Sequence, residues 1–408
     1  MALIDTFLAR AIQRGELTLT TPDGRTRSFG HPDPALAPVA IRFTDKRVAR
    51  GIVMDPSLGA GEAFMDGRLV IERGDILDLL QLATANSRWE DGANHLPASW
   101  PRRLAGKLRH RLLTNPAGRS KRNVAHHYDL SARLYDLFLD VDRQYSCAYY
   151  TDPANPLEQA QDDKKAHIAA KLAIEPGMRV LDIGCGWGGM ALYLHARTGA
   201  EVLGITLSEE QLVVARRRAE EAGVADKVRF ELIDYRALDG QFDRIVSVGM
   251  FEHVGAKHFR TYLEKCRSLL TPTGVMLLHT IGRADGPGFT DAFTEKYVFP
   301  GGYIPSLSEV LEANNFLRWY VSDVEVLRMH YAHTLKAWYD RTVAARAEIV
   351  ALYDERFFRL WTFYLAGAYC SFANGPLVNF QIQFCRDRDA LPITRDYMVE
   401  GERALRGS

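Results

Sequence analysis

The sequence predicts an α/β protein in which a doubly wound, mostly parallel sheet follows a smaller mixed α/β domain. Three observations carry this expectation. From about residue 158, strand-like and helical segments alternate regularly. At residues 179–190 (RVLDIGCGWGGM) a short apolar strand breaks directly into Gly184, Gly186, Gly188 and Gly189, and a helical pattern follows. The first ninety residues have no such rhythm: short helical and strand-like pieces are punctuated by Gly24, Gly30, Pro32, Pro34, Pro38 and Pro56.

Taken in order, MALIDTFLARAIQR opens the chain as an amphipathic helix, with Asp5 and Arg10 inside its apolar pattern, and not as a signal peptide. Residues 93–123, rich in proline and basic groups, read as a connector. They set an N-terminal domain at 1–122 against a second domain at 123–408. In the second domain a helix over 158–173 ends at Pro176-Gly177. Five strands are expected at 179–183, 201–205, 228–233, 242–248 and 275–279, separated by helices that include 208–222 and 256–269. Beyond Gly286 the pattern is helical and aromatic-rich, chiefly over 331–350 and 355–374. No uncharged apolar stretch reaches the roughly 20 residues that span a bilayer.

Composition narrows the function classes little. Lys+Arg and Asp+Glu balance at 51 each, with 47% hydrophobic residues, as in ordinary globular proteins. Charge is unevenly placed, however. Residues 92–128 contain no Asp or Glu but carry Arg102, Arg103, Lys107, Arg109, Arg111, Arg119, Lys121 and Arg122. Such a block suits an anionic lipid surface, nucleic acid or plain solvent. The five scattered cysteines, with no CxxC pair, fit a reducing cytoplasm and not a disulfide framework.

Strand, glycine turn and helix together aim backbone N–H groups and a helix N-terminus at a bound cofactor. Gly184, Gly186 and Gly189 satisfy a dinucleotide fingerprint, but the next strand ends in Thr206-Leu207-Ser208 with no carboxylate for the ribose of NAD. The order Asp182-x-Gly184-x-Gly186 resembles instead the first motif of class I S-adenosylmethionine methyltransferases. Ser208 and Gln211 have capping-box spacing, and Gln211 can also meet a ribose. Asp234-Tyr235 follows the third strand, where Asp234 serves either an adenine amine or a turn. Glu252 follows an apolar strand, a setting that raises a carboxylate's pKa, or else it merely begins a helix. His279 ends the fifth strand, and Cys147 sits in YSCAYY; both residue types are also common in cores. Neither H-x-x-H nor CxxC supports a metal site.

These segments together resemble the cyclopropane-fatty-acyl-phospholipid synthases. The matching stretches are His126–Leu130 (HHYDL), Tyr145–Tyr149 (YSCAY), Leu181–Gly189, Gly204–Gln211 (GITLSEEQ), Gly249–Gly255 (GMFEHVG), Leu278–Gly282 (LHTIG), Tyr297–Ser306 and Tyr331–Trp338. Gly61–Gly67 (GEAFMDG) resembles a motif in the N-terminal domain of the phospholipid-acting members. The resemblance implies a class I, Rossmann-like methyltransferase domain. It further implies transfer of the methyl carbon of S-adenosylmethionine to the double bond of an unsaturated phospholipid, giving a cyclopropane through a carbocation deprotonated by bound bicarbonate. By the same resemblance, Cys147, Glu252, His279, Ile281 (through its backbone N–H) and Tyr331 are the catalytic set. Tyr145, Ser146, Gly184, Gly186, Thr206, Gln211, Asp234 and Tyr235 are the cofactor set. Tyr128, Phe251, Phe289, Tyr297 and Tyr303 are candidates to shield the cation. A cytoplasmic homodimer is expected, peripheral on the inner face of the membrane, with the N-terminal domain meeting lipid and no nucleic-acid partner. The alternatives are a methyl- or methylene-branched product, a non-catalytic lipid-binding protein and, from the glycine spacing alone, an NAD dehydrogenase.

Overall fold

A computed structural model describes residues 3–92 and 131–407. The basic block 102–122 and the His126–Leu130 motif, with Tyr128, lie outside the described residues. The chain divides into two compact units, and the division is not a single cut near residue 122. The described part of Met1–Leu112 folds with Phe289–Pro300 and Leu335–Leu377; the rest forms the second unit.

The first unit is built on a four-stranded sheet ordered β2-β1-β3-β4, from β1 (Leu17–Thr20), β2 (Thr26–Phe29), β3 (Val39–Phe43) and β4 (Leu69–Arg73). Alternating burial along β3 puts Val39, Ile41 and Phe43 inside. Aspartates start its helices. Asp45 caps Lys46–Met54, Asp55 caps Pro56–Met65, and Asp75 and Asp78 form a reciprocal capping box on Ile76–Ala85. The GEAFMDG stretch lies at the end of Pro56–Met65, where it meets the two returning segments. A Cβ on Gly61 would fall 2.3 Å from Phe293 and 2.9 Å from Phe363, and Glu62 accepts from Lys296 Nζ (2.6 Å) and the Tyr297 hydroxyl (2.9 Å). This interlock corrects the expectation that everything beyond 122 belongs with the catalytic unit: helix Glu355–Ala373 packs on the N-terminal segment.

The second unit holds a seven-stranded sheet ordered β10-β11-β9-β8-β5-β6-β7. Its strands are β5 (Arg179–Ile183), β6 (Glu201–Thr206), β7 (Val228–Leu232), β8 (Phe242–Val248), β9 (Leu270–Arg283), β10 (Tyr320–Leu327) and β11 (Leu377–Cys385). Strands β9, β8, β5, β6 and β7 run parallel, and β10 pairs antiparallel with β11. Successive residues face opposite sides, and both sides are covered. Val180, Val202, Val246 and Leu277 pack under helices Leu157–Leu172, Gly189–Thr198 and Glu209–Glu221. Leu181, Ile183, Ile245 and Leu278 pack under helix Phe259–Leu269 on the other side. The sequence pattern located the five parallel strands, although the fifth is longer than expected. It missed β10 and β11, whose region was read as helical. No helix among the described residues is long and apolar enough to cross a membrane.

Candidate active site

A cavity opens beyond the carboxyl ends of β5, β6, β7 and β8, as expected where strand order reverses about β5. All eight residues expected to meet the cofactor line it: Tyr145, Ser146, Gly184, Gly186, Thr206, Gln211, Asp234 and Tyr235. The glycine turn is held by the Gly184 and Cys185 N–H groups, which both donate to the Ile205 carbonyl at 2.9 and 3.0 Å. Gly186 has φ +53, and a Cβ there would meet nothing within 4 Å. The missing side chain therefore leaves room for a ligand against the backbone.

The next turn differs from its sequence reading. Ser208 does cap the helix through the Gln211 N–H (3.3 Å), but the Gln211 side chain does not reach back to close a capping box. Its Oε1 accepts from the Thr206 hydroxyl at 3.1 Å, and the Ser208 N–H donates to Thr206 Oγ1 at 3.1 Å. Thr206 thereby fixes Gln211 on the cavity wall. Asp234 accepts from the Arg236 N–H at 3.0 Å and from its guanidinium at 2.5 Å. Half-burial of Asp234 opposes ionisation, yet Arg236 holds the carboxyl below the usual range. Arg143, Trp187, His253 and His258 also line the cavity and were not anticipated. Burial lowers the His253 pKa to about 4, so its ring is neutral.

The catalytic candidates form a second group that does not line this cavity, though it is joined to it along the chain. Glu252 lies in the short turn after β8 and is 7% exposed. Its Oε1 accepts from the Ile281 N–H at 2.6 Å. This corrects the expectation that the Ile281 N–H is available to an anion, because the glutamate occupies it. Glu252 Oε2 has no hydrogen-bond partner. Burial raises the Glu252 pKa to about 7 despite the Ile281 contact. His279, on β9, is flanked by two amides of β11: Gln381 Nε2 lies 3.2 Å from Nδ1, and Asn379 Nδ2 lies 3.4 Å from Nε2. Burial, helped by the Lys164 ammonium, lowers the His279 pKa to about 3. A neutral ring has one donor and one acceptor, so only one of the two amide N–H groups can donate to it.

Cys147 and Tyr331 sit on two segments laced together. The Ala148 N–H donates to Thr334 Oγ1 at 3.0 Å, and the Tyr150 N–H donates to His330 Nδ1 at 2.9 Å. Both Cys147 and Tyr331 are buried. Burial pushes the Cys147 thiol well up, so it is neutral and not a nucleophile. No hydrogen bond joins that thiol to Glu252 or His279, but Lys164 acts electrostatically on both Cys147 and His279. Among the candidate shielding aromatics, Phe251 is sealed in the core, stacked on Phe259 at 4.2 Å. Tyr297 belongs to the first unit, and Phe289 is exposed. Tyr303 is hydrogen-bonded to this group, its N–H donating to the Glu252 carbonyl at 2.9 Å.

Known proteins place the chain in a family. Residues 116–382 match the family model described as mycolic acid cyclopropane synthetase. The chain is 39% identical over 354 residues to a cyclopropane-fatty-acyl-phospholipid synthase of Escherichia coli (strain K12), covering 86% of this chain and 88% of that one. It is 32% identical over 401 residues to a tuberculostearic acid methyltransferase of Mycobacterium tuberculosis, covering 95% and 91%. Among solved structures, a mycolic acid cyclopropane synthase complexed with SAH and CTAB superimposes with a TM-score of 0.62 at 33% identity, over 65% of this chain and 98% of that one. The chain therefore belongs to the mycolic acid cyclopropane synthetase family, within the S-adenosylmethionine-dependent methyltransferases.

Proposed function

We propose that the chain transfers the methyl carbon of S-adenosylmethionine to the double bond of an unsaturated phospholipid acyl chain and closes a cyclopropane ring. The alkene π electrons form the new C–C bond as the S–CH3 bond breaks and S-adenosylhomocysteine leaves. The resulting cation loses a proton from the new methyl, and the ring closes. An alkene is a weak nucleophile, so alignment must supply much of the rate; well-oriented reactants gain roughly 7–11 kcal/mol. In this reading Asp234 and Tyr235 meet the adenine, Gln211 the ribose, and Tyr145, Ser146 and the Gly184–Gly186 turn the amino-acid end.

The observation that carries the reading is Glu252: buried, with one oxygen held by Ile281 N–H and the other without a partner. The side-chain oxygens of Asn379 and Gln381 are likewise buried without partners nearby on β11. Such a cluster of buried polar groups suits a small hydrogen-bonding guest such as bicarbonate, which Cys147, Glu252, His279 and Tyr331 would hold, with the Ile281 N–H fixing Glu252 in place. When bound, bicarbonate supplies the base for the methyl proton. Glu252, poised near pH 7, keeps or gives up one proton in support, and neutral His279 contributes one donor or acceptor. The phospholipid assignment draws on the GEAFMDG stretch and the basic block 102–122, which with the first unit would meet an anionic membrane surface from the cytoplasm. A homodimer completes the proposal.

A second reading is favoured by the tuberculostearic acid relative: the same cation loses its proton elsewhere and leaves a branch. Incubation with S-adenosylmethionine and vesicles of monounsaturated phosphatidylethanolamine, then gas chromatography and mass spectrometry of the released acyl chains, decides. A ring is expected. A methyl or methylene branch establishes the second reading, and unaltered chains overturn both.

A further inference from the structure

Most cations around the cavity already have a carboxylate. Arg143 donates to both oxygens of Asp136 (2.6 and 2.9 Å) and lies over the Trp187 ring. Arg236 is held by Asp234, and Lys165 and Arg218 share Asp142. Lys164 is different. It is fully buried in the middle of helix Leu157–Leu172, and its ammonium donates to Gln144 Oε1 at 2.6 Å and Ser146 Oγ at 2.9 Å. Both acceptors are uncharged, and no carboxylate of the described residues forms an ion pair with it. Burial draws its pKa down to about 8, with Asp140 opposing, so the group is still charged at neutral pH.

Asp140 and Asp142 act on the Lys164 ammonium only through space, and Asp182 feels it in turn, so a buried charge that touches no carboxylate is still open to a bound anion. Both acceptors line the cavity. Because Ser146 Oγ accepts from Lys164 and Ser146 lines the cavity, its own hydrogen is left to donate to a ligand there. Gln144 is pinned as well, between Lys164 and Asp142 Oδ2 (2.9 Å). This wall lies at the glycine-turn end of the cavity, away from Asp234, where the amino-acid end of an S-adenosyl ligand is placed in the reading above.

We propose that Lys164 is a positioning residue for the cofactor: it holds the Ser146 hydroxyl as a donor into the cavity and supplies the counter-charge for the ligand's α-carboxylate. This rests on the cavity binding an S-adenosyl ligand. The test compares dissociation constants, by calorimetry at pH 7, for S-adenosylhomocysteine and for 5′-methylthioadenosine, which lacks the amino-acid tail. In Lys164→Met, S-adenosylhomocysteine is expected to weaken at least tenfold while 5′-methylthioadenosine stays within twofold. The KM for S-adenosylmethionine rises by a similar factor, with kcat at saturation largely kept. Ser146→Ala shows the same selectivity to a smaller degree, and adding it to Lys164→Met costs little more, because both act through one hydroxyl.

Equal losses for both ligands would reduce Lys164 to a structural role and overturn the proposal, as would no loss for either. So would a variant whose sole change is a higher bicarbonate requirement, which would make that anion the counter-ion. If Lys164→Met does not fold, Ser146→Ala alone decides: it must lose S-adenosylhomocysteine selectively. A wild-type protein that binds neither ligand would instead refute the underlying cofactor reading.

Discussion

Glu252 combines two properties that ordinarily conflict, since it is buried and yet has one oxygen without a partner. Its folded pKa, about 7, lies above its ordinary 4.5. The folded state therefore binds a proton that the unfolded chain releases, and the associated stability is complete below pH 4.5 and lost as pH rises through 7. Glu252→Gln removes the titration. Urea denaturation at pH 5 and pH 8 should show the variant gaining on wild type at the higher pH, by on the order of 3 kcal/mol at most. Turnover should fall by roughly 10²–10⁴-fold, the range of acid–base contributions. Affinity for S-adenosylhomocysteine should be nearly unchanged, because Glu252 does not line the cofactor cavity. Retained turnover would remove Glu252 from the mechanism. At this scale the sequence was informative where chemistry is local. Glu252 follows an apolar strand, and its raised pKa was legible from that run. What Ile281 does was not legible, because a backbone N–H has no sequence signature and its partner lies twenty-nine residues away.

Two elements show where periodicity stops being informative. Helix Leu157–Leu172 was located to within a residue, yet the pattern hid its central feature: Gln161, Asp163, Lys164, His167 and Lys171 are all buried. An apolar-stripe argument assigns such residues to solvent. Their partners come from elsewhere in the chain. Lys171 ion-pairs with Glu325 and Asp323 of β10, and His167 lies 2.7 Å from Glu325 and 2.9 Å from Glu402. Strand β11 hid in the same way. VNFQIQF alternates with period two, the strand signature, but its polar members Asn379, Gln381 and Gln383 are as buried as its apolar ones. The alternation could have found β11 if the surrounding aromatic residues had not read as helix. Removing one partner of a buried ion pair typically costs about 3–5 kcal/mol, mostly as the burden of the charge left behind. Lys171→Met is therefore expected to lose that much in chemical denaturation. Adding Glu325→Gln should restore part of the loss, since one of the two carboxylates that Lys171 balanced then disappears. A double variant no more stable than Lys171→Met would show that packing, and not charge, is what Lys171 contributes.

At the scale of the whole molecule, the sequence located the parallel sheet and its cofactor cavity because these rest on contiguous motifs, but it misjudged the organisation of the chain. A composition break near residue 122 marks a connector, not the edge of a self-sufficient unit. Helices Pro56–Met65 and Ile76–Ala85 depend on segments more than two hundred residues later. Gly61 makes room for Phe293 and Phe363, Glu62 binds Lys296 and Tyr297, Gln81 Nε2 donates to Tyr369 (3.2 Å), and the Trp89 N–H donates to the Asn374 carbonyl (2.9 Å). Without Phe289–Pro300 and Leu335–Leu377, the apolar faces of those helices would meet water, and a unit of about a hundred residues has little stability to spare. A fragment comprising residues 1–122 should therefore show no cooperative thermal transition, bind a hydrophobic dye and lack near-ultraviolet circular dichroism, whereas the full chain melts cooperatively. A fragment that melted cooperatively with a native-like near-ultraviolet spectrum would mean that the later segments cover a domain already folded. On the present geometry they complete it, so the lipid-facing role proposed for the first unit cannot be studied with the N-terminal sequence alone.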